Sequence, residues 1–160
     1  MLVIRDSGGV AECLREFERL EEAGWKGKLG TAVGAQNKQG RFYRKVFENV
    51  CQWGEGVIWQ FCLNGRTVAS ELCLERGGML IALKTTYDET LKKFSPSYLM
   101  RCEIVKKLFE EDNTTVVEFY GRVCDWQRKW TDEQRTMSHI NFFRNNWIHR
   151  IYSIIKKIRH

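Results

Sequence analysis

Val57-Ile58-Trp59-Gln60-Phe61-Cys62-Leu63-Asn64-Gly65-Arg66-Thr67-Val68-Ala69 is the stretch on which the fold turns. Val57, Trp59, Phe61 and Leu63 alternate with a period of two, the spacing that puts side chains on one face of a strand. Asn64-Gly65 follows, and both residues tolerate the positive φ that a two-residue hairpin turn requires. A second strand is therefore predicted over about 66–75. Arg76-Gly77-Gly78 makes another tight turn, and a largely apolar third strand runs over 79–85. The three form an antiparallel meander.

Downstream, this meander runs into Leu83-Lys84-Thr85-Thr86-Tyr87-Asp88-Glu89, a polar loop, and then Ser95-Pro96-Ser97-Tyr98-Leu99-Met100-Arg101. Ser95 is a suitable N-cap, because its hydroxyl can accept from the free N–H groups of a first helical turn. Pro96 suits the first helical position, where its missing N–H costs nothing. The amides of Ser97, Tyr98 and Leu99 are then expected to point out of the helix start, near Lys92 and Lys93. That is a favourable place for a phosphate, although the same features make an ordinary strand-to-helix junction. Leu99, Cys102, Val105 (or Ile104), Leu108 and Phe109 are predicted to face inward, and Asp112-Asn113 ends the helix. Thr115, Val116, Val117, Glu118, Phe119 and Tyr120 read as a short strand closed by Gly121.

Upstream, Val10, Leu14, Phe17 and Leu20 recur at helical spacing up to Gly24, with Glu12, Glu16, Glu18 and Glu21 largely off that face. Gly24-Trp25-Lys26-Gly27-Lys28-Leu29-Gly30-Thr31 is a glycine-rich basic loop that lacks P-loop spacing. Phe42, Val46, Phe47 and Val50 mark a second helix. At the other end, Asp125-Trp126-Gln127-Arg128-Lys129-Trp130 suggests a short helix. Residues 135–143 suggest one more strand, with Met137, His139, Asn141 and Phe143 on one face. A terminal helix is expected to turn Trp147, Ile151, Ile154, Ile155 and Ile158 inward, with Arg150, Lys156, Lys157 and Arg159 opposite. Such a helix either completes a core or lies on an anionic membrane. The order of elements predicts an α+β fold, a mostly antiparallel sheet with helices on both faces and a C-terminal amphipathic helix.

The 160 residues suffice for one domain spanning the chain, and 43% apolar with 29% charged residues is a globular composition. Net charge is +6, which favours anionic partners without choosing among them. No apolar run approaches the ~20 residues that span a bilayer. Cys13, Cys51, Cys62, Cys73, Cys102 and Cys124 include no C-x-x-C pair, and they read as packed thiols in a reducing cytoplasm. The histidines are His139, His149 and His160, so no clustered metal site is expected.

Several stretches in this order carry a family resemblance: Gly24-Trp25-Lys26-Gly27 with Gly30-Thr31-Ala32, Arg41-Phe42-Tyr43, Asn64-Gly65-Arg66-Thr67-Val68-Ala69, Gly77-Gly78, the 83–89 segment, Ser95-Pro96-Ser97-Tyr98-Leu99, and Trp130-Thr131. Together they resemble a GNAT-superfamily acyltransferase, closest to the CelD-type branch associated with cellulose biosynthesis, which is similar to FemAB proteins. The resemblance implies that the third strand and the strand after the central helix splay apart, with the pantetheine arm of acetyl-CoA or another acyl-CoA between them. It further implies a thioester carbonyl near the backbone of Leu83, Lys84 and Thr85, and phosphates near Ser95, Ser97, Tyr98 and Leu99. Two positions depart from the branch: Ser97 stands where glycine is expected, and Gln127 where a lysine is usual. Members of the branch are commonly about twice as long, so this chain resembles the C-terminal half of a tandem arrangement.

Acyl transfer needs a base, a donor for the oxyanion and an acid for the leaving thiolate. Glu71, a carboxylate in mid-strand, is the candidate base, or else a carboxylate paired with a neighbouring strand. Tyr120 is the candidate acid, with Tyr87 in reserve, and a backbone N–H near Lys84 or Thr85 would serve the oxyanion. A Cys73 or Cys124 pair with His139 lacks any surrounding nucleophile motif. Trp126, Arg128, Lys129 and Trp130 could stack on single-stranded nucleic acid or be a half-buried element with solvated charges. The expected function is transfer of an acyl group from acyl-CoA to an amine or hydroxyl acceptor by direct attack. The alternatives are aminoacyl transfer from charged tRNA, or a catalytically degenerate half-domain that binds a partner. Acceptor and oligomeric state are left open.

Overall fold

The computed structural model describes residues 1–34, 36–138, 140, 142–145, 147, 148, 150, 152 and 154. Five strands form one sheet in the order β1-β2-β3-β4-β5: β1 (Leu2–Ile4), β2 (Gly56–Leu63), β3 (Arg66–Arg76), β4 (Met79–Tyr87) and β5 (Val116–Phe119). The helices α1 (Ser7–Ala23), α2 (Trp25–Lys28), α3 (Lys38–Gln52) and α4 (Pro96–Glu111) accompany them. The pairings are antiparallel except β4 with β5, which is parallel. Among the described residues no helix is long and apolar enough to cross a membrane.

The hairpin signal holds in detail. Asn64 and Gly65 both take positive φ, 50° and 77°, which matches the right-handed twist of the flanking strands. The first strand is buried on both faces, however. Val57 and Trp59 pack with Ala69, Cys73, Leu80, Met100, Ile104 and Leu108 on the α4 side. Ile58 and Leu72 pack with Val10, Leu14, Phe17 and Phe47 on the α1 and α3 side. A bulge between Phe61 and Cys62 breaks the alternation, and Leu63 is exposed. A two-faced sheet with helices on each side is the expected α+β architecture.

β1 was not evident from the sequence. Three residues are too few for a periodicity, and Ile4 reaches the sheet by pairing with Ile58. Asp6 then caps α1, its carboxylate accepting from the Gly8 and Gly9 amides at 2.9 and 3.2 Å.

A second bulge positions the site. Leu72 pairs with Lys84 and Cys73 with Ala82, so Leu83 is an extra residue in β4. The pairing of β5 ends at the same place: Ala82 faces Phe119, and the Tyr120 N–H donates to the Ala82 carbonyl at 3.2 Å. Beyond that point β4 continues through residues 83–87 without β5 beside it.

Several expectations need correction. Ser95 does not cap α4 through its hydroxyl; it takes a left-handed conformation, φ 50° and ψ 54°, with no capping bond from its side chain. A 3₁₀ helix, Glu89–Phe94, ends immediately before it, so Ser95 is the joint between two helices rather than the end of an extended loop. The buried face of α4 is also turned from the one expected. Pro96, Met100, Arg101, Ile104 and Leu108 are buried, while Leu99 and Phe109 are 45% and 82% exposed. Arg101 turns inward because a buried carboxylate meets it there. Finally, Glu18 and Glu21 belong to the buried face of α1, each held by a cation.

The chain divides into two compact units, Met1–Arg122 and Val123–His160. In the second, a 3₁₀ helix spans Gln127–Lys129, and Gln127 is buried, its side-chain carbonyl accepting from the Cys124 amide at 2.5 Å. The strand expected over 135–143 is not formed by any described residue there, in keeping with an imperfect alternation; His139 and Asn141 lie outside the described residues. Of the terminal helix, Trp147, Ile148, Arg150, Tyr152 and Ile154 are helical. Trp147 and Ile154 are exposed rather than turned inward. Ile151, Ile155, Lys156, Lys157, Ile158 and Arg159 lie outside the described residues.

Candidate active site where the β4 and β5 pairing ends

Successive residues of β4 send their side chains to opposite faces of the sheet. Lys84 and Thr85 therefore seed two separate clusters at the place where β5 leaves.

On the α1 side, Lys84 Nζ lies 3.3 Å from Glu21 Oε2 and 5.5 Å from the centre of the Tyr43 ring. Glu21 is 1% exposed. It also pairs with Lys26 and accepts from the Val33 amide at 2.8 Å, so a buried carboxylate is held by two ammonium groups and a backbone N–H. Burial lowers the pKa of Lys84, and the nearby charge of Lys26 lowers it further against the pull of Glu21. The Tyr43 phenol is pushed up, first by burial and then by Glu21 and Tyr120. Tyr120, itself exposed, therefore lies near this cluster. A shallow pocket opens beside it, lined by Glu21, Trp25, Lys26, Thr86, Tyr87 and Glu89. Glu89 fixes one wall by accepting from the Trp25 amide at 2.8 Å.

On the α4 side, Glu71 Oε1 accepts from Thr85 Oγ1 at 2.8 Å and from Arg101 Nη2 at 2.5 Å. Arg101 also reaches Thr85 Oγ1 at 3.1 Å, and its guanidinium lies 5.2 Å from the Phe119 ring centre. One arginine from α4 thus spans β3, β4 and β5.

The residues singled out in the sequence are accordingly divided. Leu83, Lys84 and Thr85 do stand together at the bulge. Glu71 joins Thr85, but on the face away from Lys84. Ser95, Ser97, Tyr98 and Leu99 form the start of α4, where the Tyr98 and Leu99 amides already donate to the Ser95 carbonyl at 2.9 and 3.1 Å. Of the three amides expected to be free, only that of Ser97 is not directed at Ser95. Tyr87, the reserve acid, lines the pocket.

Glu21, Lys26, Tyr43 and Arg101 were missed. A signal existed for Glu21: it follows Phe17 by four residues and Leu14 by seven, which places it on the apolar stripe. Arg101 carried no such signal, because only its partner across the fold explains its burial. Among the described residues no group of three or more histidine, cysteine, aspartate or glutamate side chains gathers as a metal site. None of the six cysteines is in a disulfide.

The model of the acetyltransferase (GNAT) domain family matches residues 2–128. No curated protein matches the sequence. Among solved structures, the chain is similar to the aminoglycoside acetyltransferase HMB0005 from an uncultured soil metagenomic sample, with 11% identity, a TM-score of 0.60 and coverage of 90% of this chain and 97% of that one. It is similar to the ribosomal-protein-alanine N-acetyltransferase from Brucella melitensis biovar Abortus 2308, with 12% identity, a TM-score of 0.56 and coverage of 89% and 96%. It is also similar to a predicted acetyltransferase solved with acetyl-CoA from Clostridium acetobutylicum, with 10% identity, a TM-score of 0.56 and coverage of 89% and 94%. At such identities these likenesses concern the fold.

Proposed function

The chain belongs to the GNAT acetyltransferase domain family, and from that premise we propose that it moves an acyl group from acyl-CoA to an amine or hydroxyl acceptor by direct attack. The observation that carries this reading is the end of β4–β5 pairing at the Ala82 and Phe119 rung, beside the bulge formed by Leu83. Backbone groups of residues 83–87 on that edge have no β5 neighbour. A pantetheine arm can use them as a strand would, and an N–H at Lys84 or Thr85 can meet the developing oxyanion.

The acceptor would approach from the pocket on the α1 side, where Trp25 and Glu89 offer an aromatic face and a carboxylate. Tyr120 would protonate the departing thiolate, since it follows the last paired residue of β5. Glu71 is retained as a positioning group, because its carboxylate is already engaged by Arg101 and Thr85. The stretches that resemble the CelD-type branch support membership of that branch.

Titration of the protein with acetyl-CoA by calorimetry tests this reading. Saturable binding below about 1 mM is expected. A folded protein that gives no heat over that range would remove the acyl-CoA reading and favour a domain that binds a partner without catalysis. That second reading draws on the closed state of Glu71 and on Ser97 at the start of α4.

A further inference from the structure

We propose that Lys84 is itself an acyl acceptor, so that a bound acyl-CoA converts it to an Nε-acyl-lysine within the same molecule. This rests on the placement of the thioester given above and adds a modification site to it.

Lys84 belongs to β4 directly after the bulge, in the segment that β5 does not cover, so its own backbone borders the place assigned to the thioester carbonyl. Its ammonium does not extend into solvent. The side chain is 17% exposed and returns to Glu21 Oε2 at 3.3 Å, beside the open pocket. The groups that face it are Glu21 from α1, Lys26 from α2 and Tyr43 from α3. Burial lowers its pKa, which raises the fraction of neutral amine relative to a solvated lysine. Among the described residues no carboxylate forms an ion pair with the exposed Lys92 or Lys93.

The chemistry balances with acyl-CoA as the only co-reactant. Glu21 takes a proton from the Lys84 ammonium, and the freed nitrogen lone pair attacks the thioester carbonyl. The tetrahedral adduct collapses with cleavage of the C–S bond, the coenzyme A thiolate takes the surplus proton of the adduct's nitrogen, and Glu21 releases its own proton to solvent. The products are an amide and a free thiol. An amide is too stable to pass its acyl group on, so the product is a modification and not an intermediate of turnover. It removes the charge of Lys84 and leaves Glu21 with Lys26 as its remaining cation, which alters the acceptor pocket.

The test is peptide mapping by mass spectrometry after incubation of the full chain with acetyl-CoA, alongside calorimetric binding. One acetyl group is expected on the peptide carrying Lys84, formed at least about tenfold faster than on Lys92 or Lys93. Its rate should be independent of protein concentration, as an intramolecular step requires. The concentration-independent phase should vanish in Lys84→Arg, which keeps a cation for Glu21 but offers no acylatable amine. Persistence of that phase in the variant overturns the proposal. Binding of acetyl-CoA without enrichment at Lys84 overturns it while leaving the acyltransferase reading in place; absence of both binding and acetylation removes the two together.

Discussion

Arg101 of α4 and Glu71 of β3 form an ion pair at 2.5 Å, with side chains only 7% and 2% exposed. Taking two charges out of water is costly, and their attraction together with the Thr85 hydrogen bonds offsets that cost. The expensive state is one with a single partner left behind. Arg101→Met should therefore destabilise the fold by about 3–5 kcal/mol in urea unfolding, because Glu71 would remain buried and unpaired. The double variant Glu71→Leu with Arg101→Met should recover most of that loss. Glu71→Gln addresses chemistry separately: turnover unchanged at equal acetyl-CoA affinity would confine Glu71 to positioning.

Alkaline pH should weaken the protein through its buried thiols. Burial pushes Cys13 and Cys51 up from an ordinary value near 9.0 to about 11, and Cys73 also rises well above that value. Because the folded-state value is the raised one, the stabilisation is complete below pH 9.0 and is lost as pH climbs toward about 11. Unfolding free energy measured across that interval, with reductant present, should fall with pH. Cys51→Ala should show a shallower fall, since one of the titrating thiols is gone. A slope equal to that of the parent would mean that Cys51 does not titrate on unfolding.

What the sequence disclosed was local, and what it concealed was long-range. Asn64-Gly65 announces its turn because both positive φ values arise from those two residues alone. Pro96 likewise marks the first residue of α4. Ser95 was misread because a serine before a helical proline has the chemistry of a cap, yet the preceding 3₁₀ helix forces it into a left-handed joint. The inner face of α4 was set by Arg101, whose reason for burial lies thirty residues away in Glu71. The site divided in the same manner. Leu83, Lys84 and Thr85 were singled out through the family resemblance, whereas the Glu21 and Lys84 pair joins residues 63 apart. No periodicity reports a partner at such distance.

Gly27 should be intolerant of any side chain. A Cβ built there would stand 1.9 Å from the Glu22 carbonyl oxygen, so α2 folds back against the end of α1 only because that atom is missing. Gly27→Ala should cost about 1–3 kcal/mol by overpacking. It should also shift Trp25 and Lys26, which line the pocket beside Glu21. Thermal unfolding checks the first consequence. If acyl transfer is established, an acceptor KM that rises more than kcat falls checks the second.

Ser97 is where the acyl-CoA reading meets its most specific test. The Tyr98 and Leu99 amides donate to the Ser95 carbonyl, so a pyrophosphate at this turn would depend on the Ser97 amide and on Lys92 and Lys93 upstream. Ser97 carries a side chain at the position where the resembling branch has glycine. Ser97→Gly removes it, at a helix cost of up to about 1 kcal/mol. The variant should therefore bind acetyl-CoA more tightly, by several-fold in calorimetry, while unfolding at a slightly lower temperature. Binding should weaken as salt is raised, because the contact is charge-assisted. Pantetheine lacking the nucleotide provides the contrast, and its affinity should be the same for parent and variant. If Ser97→Gly instead weakens acetyl-CoA, the serine hydroxyl is a ligand of the phosphate and the replacement of glycine at this position is an adaptation to bind it.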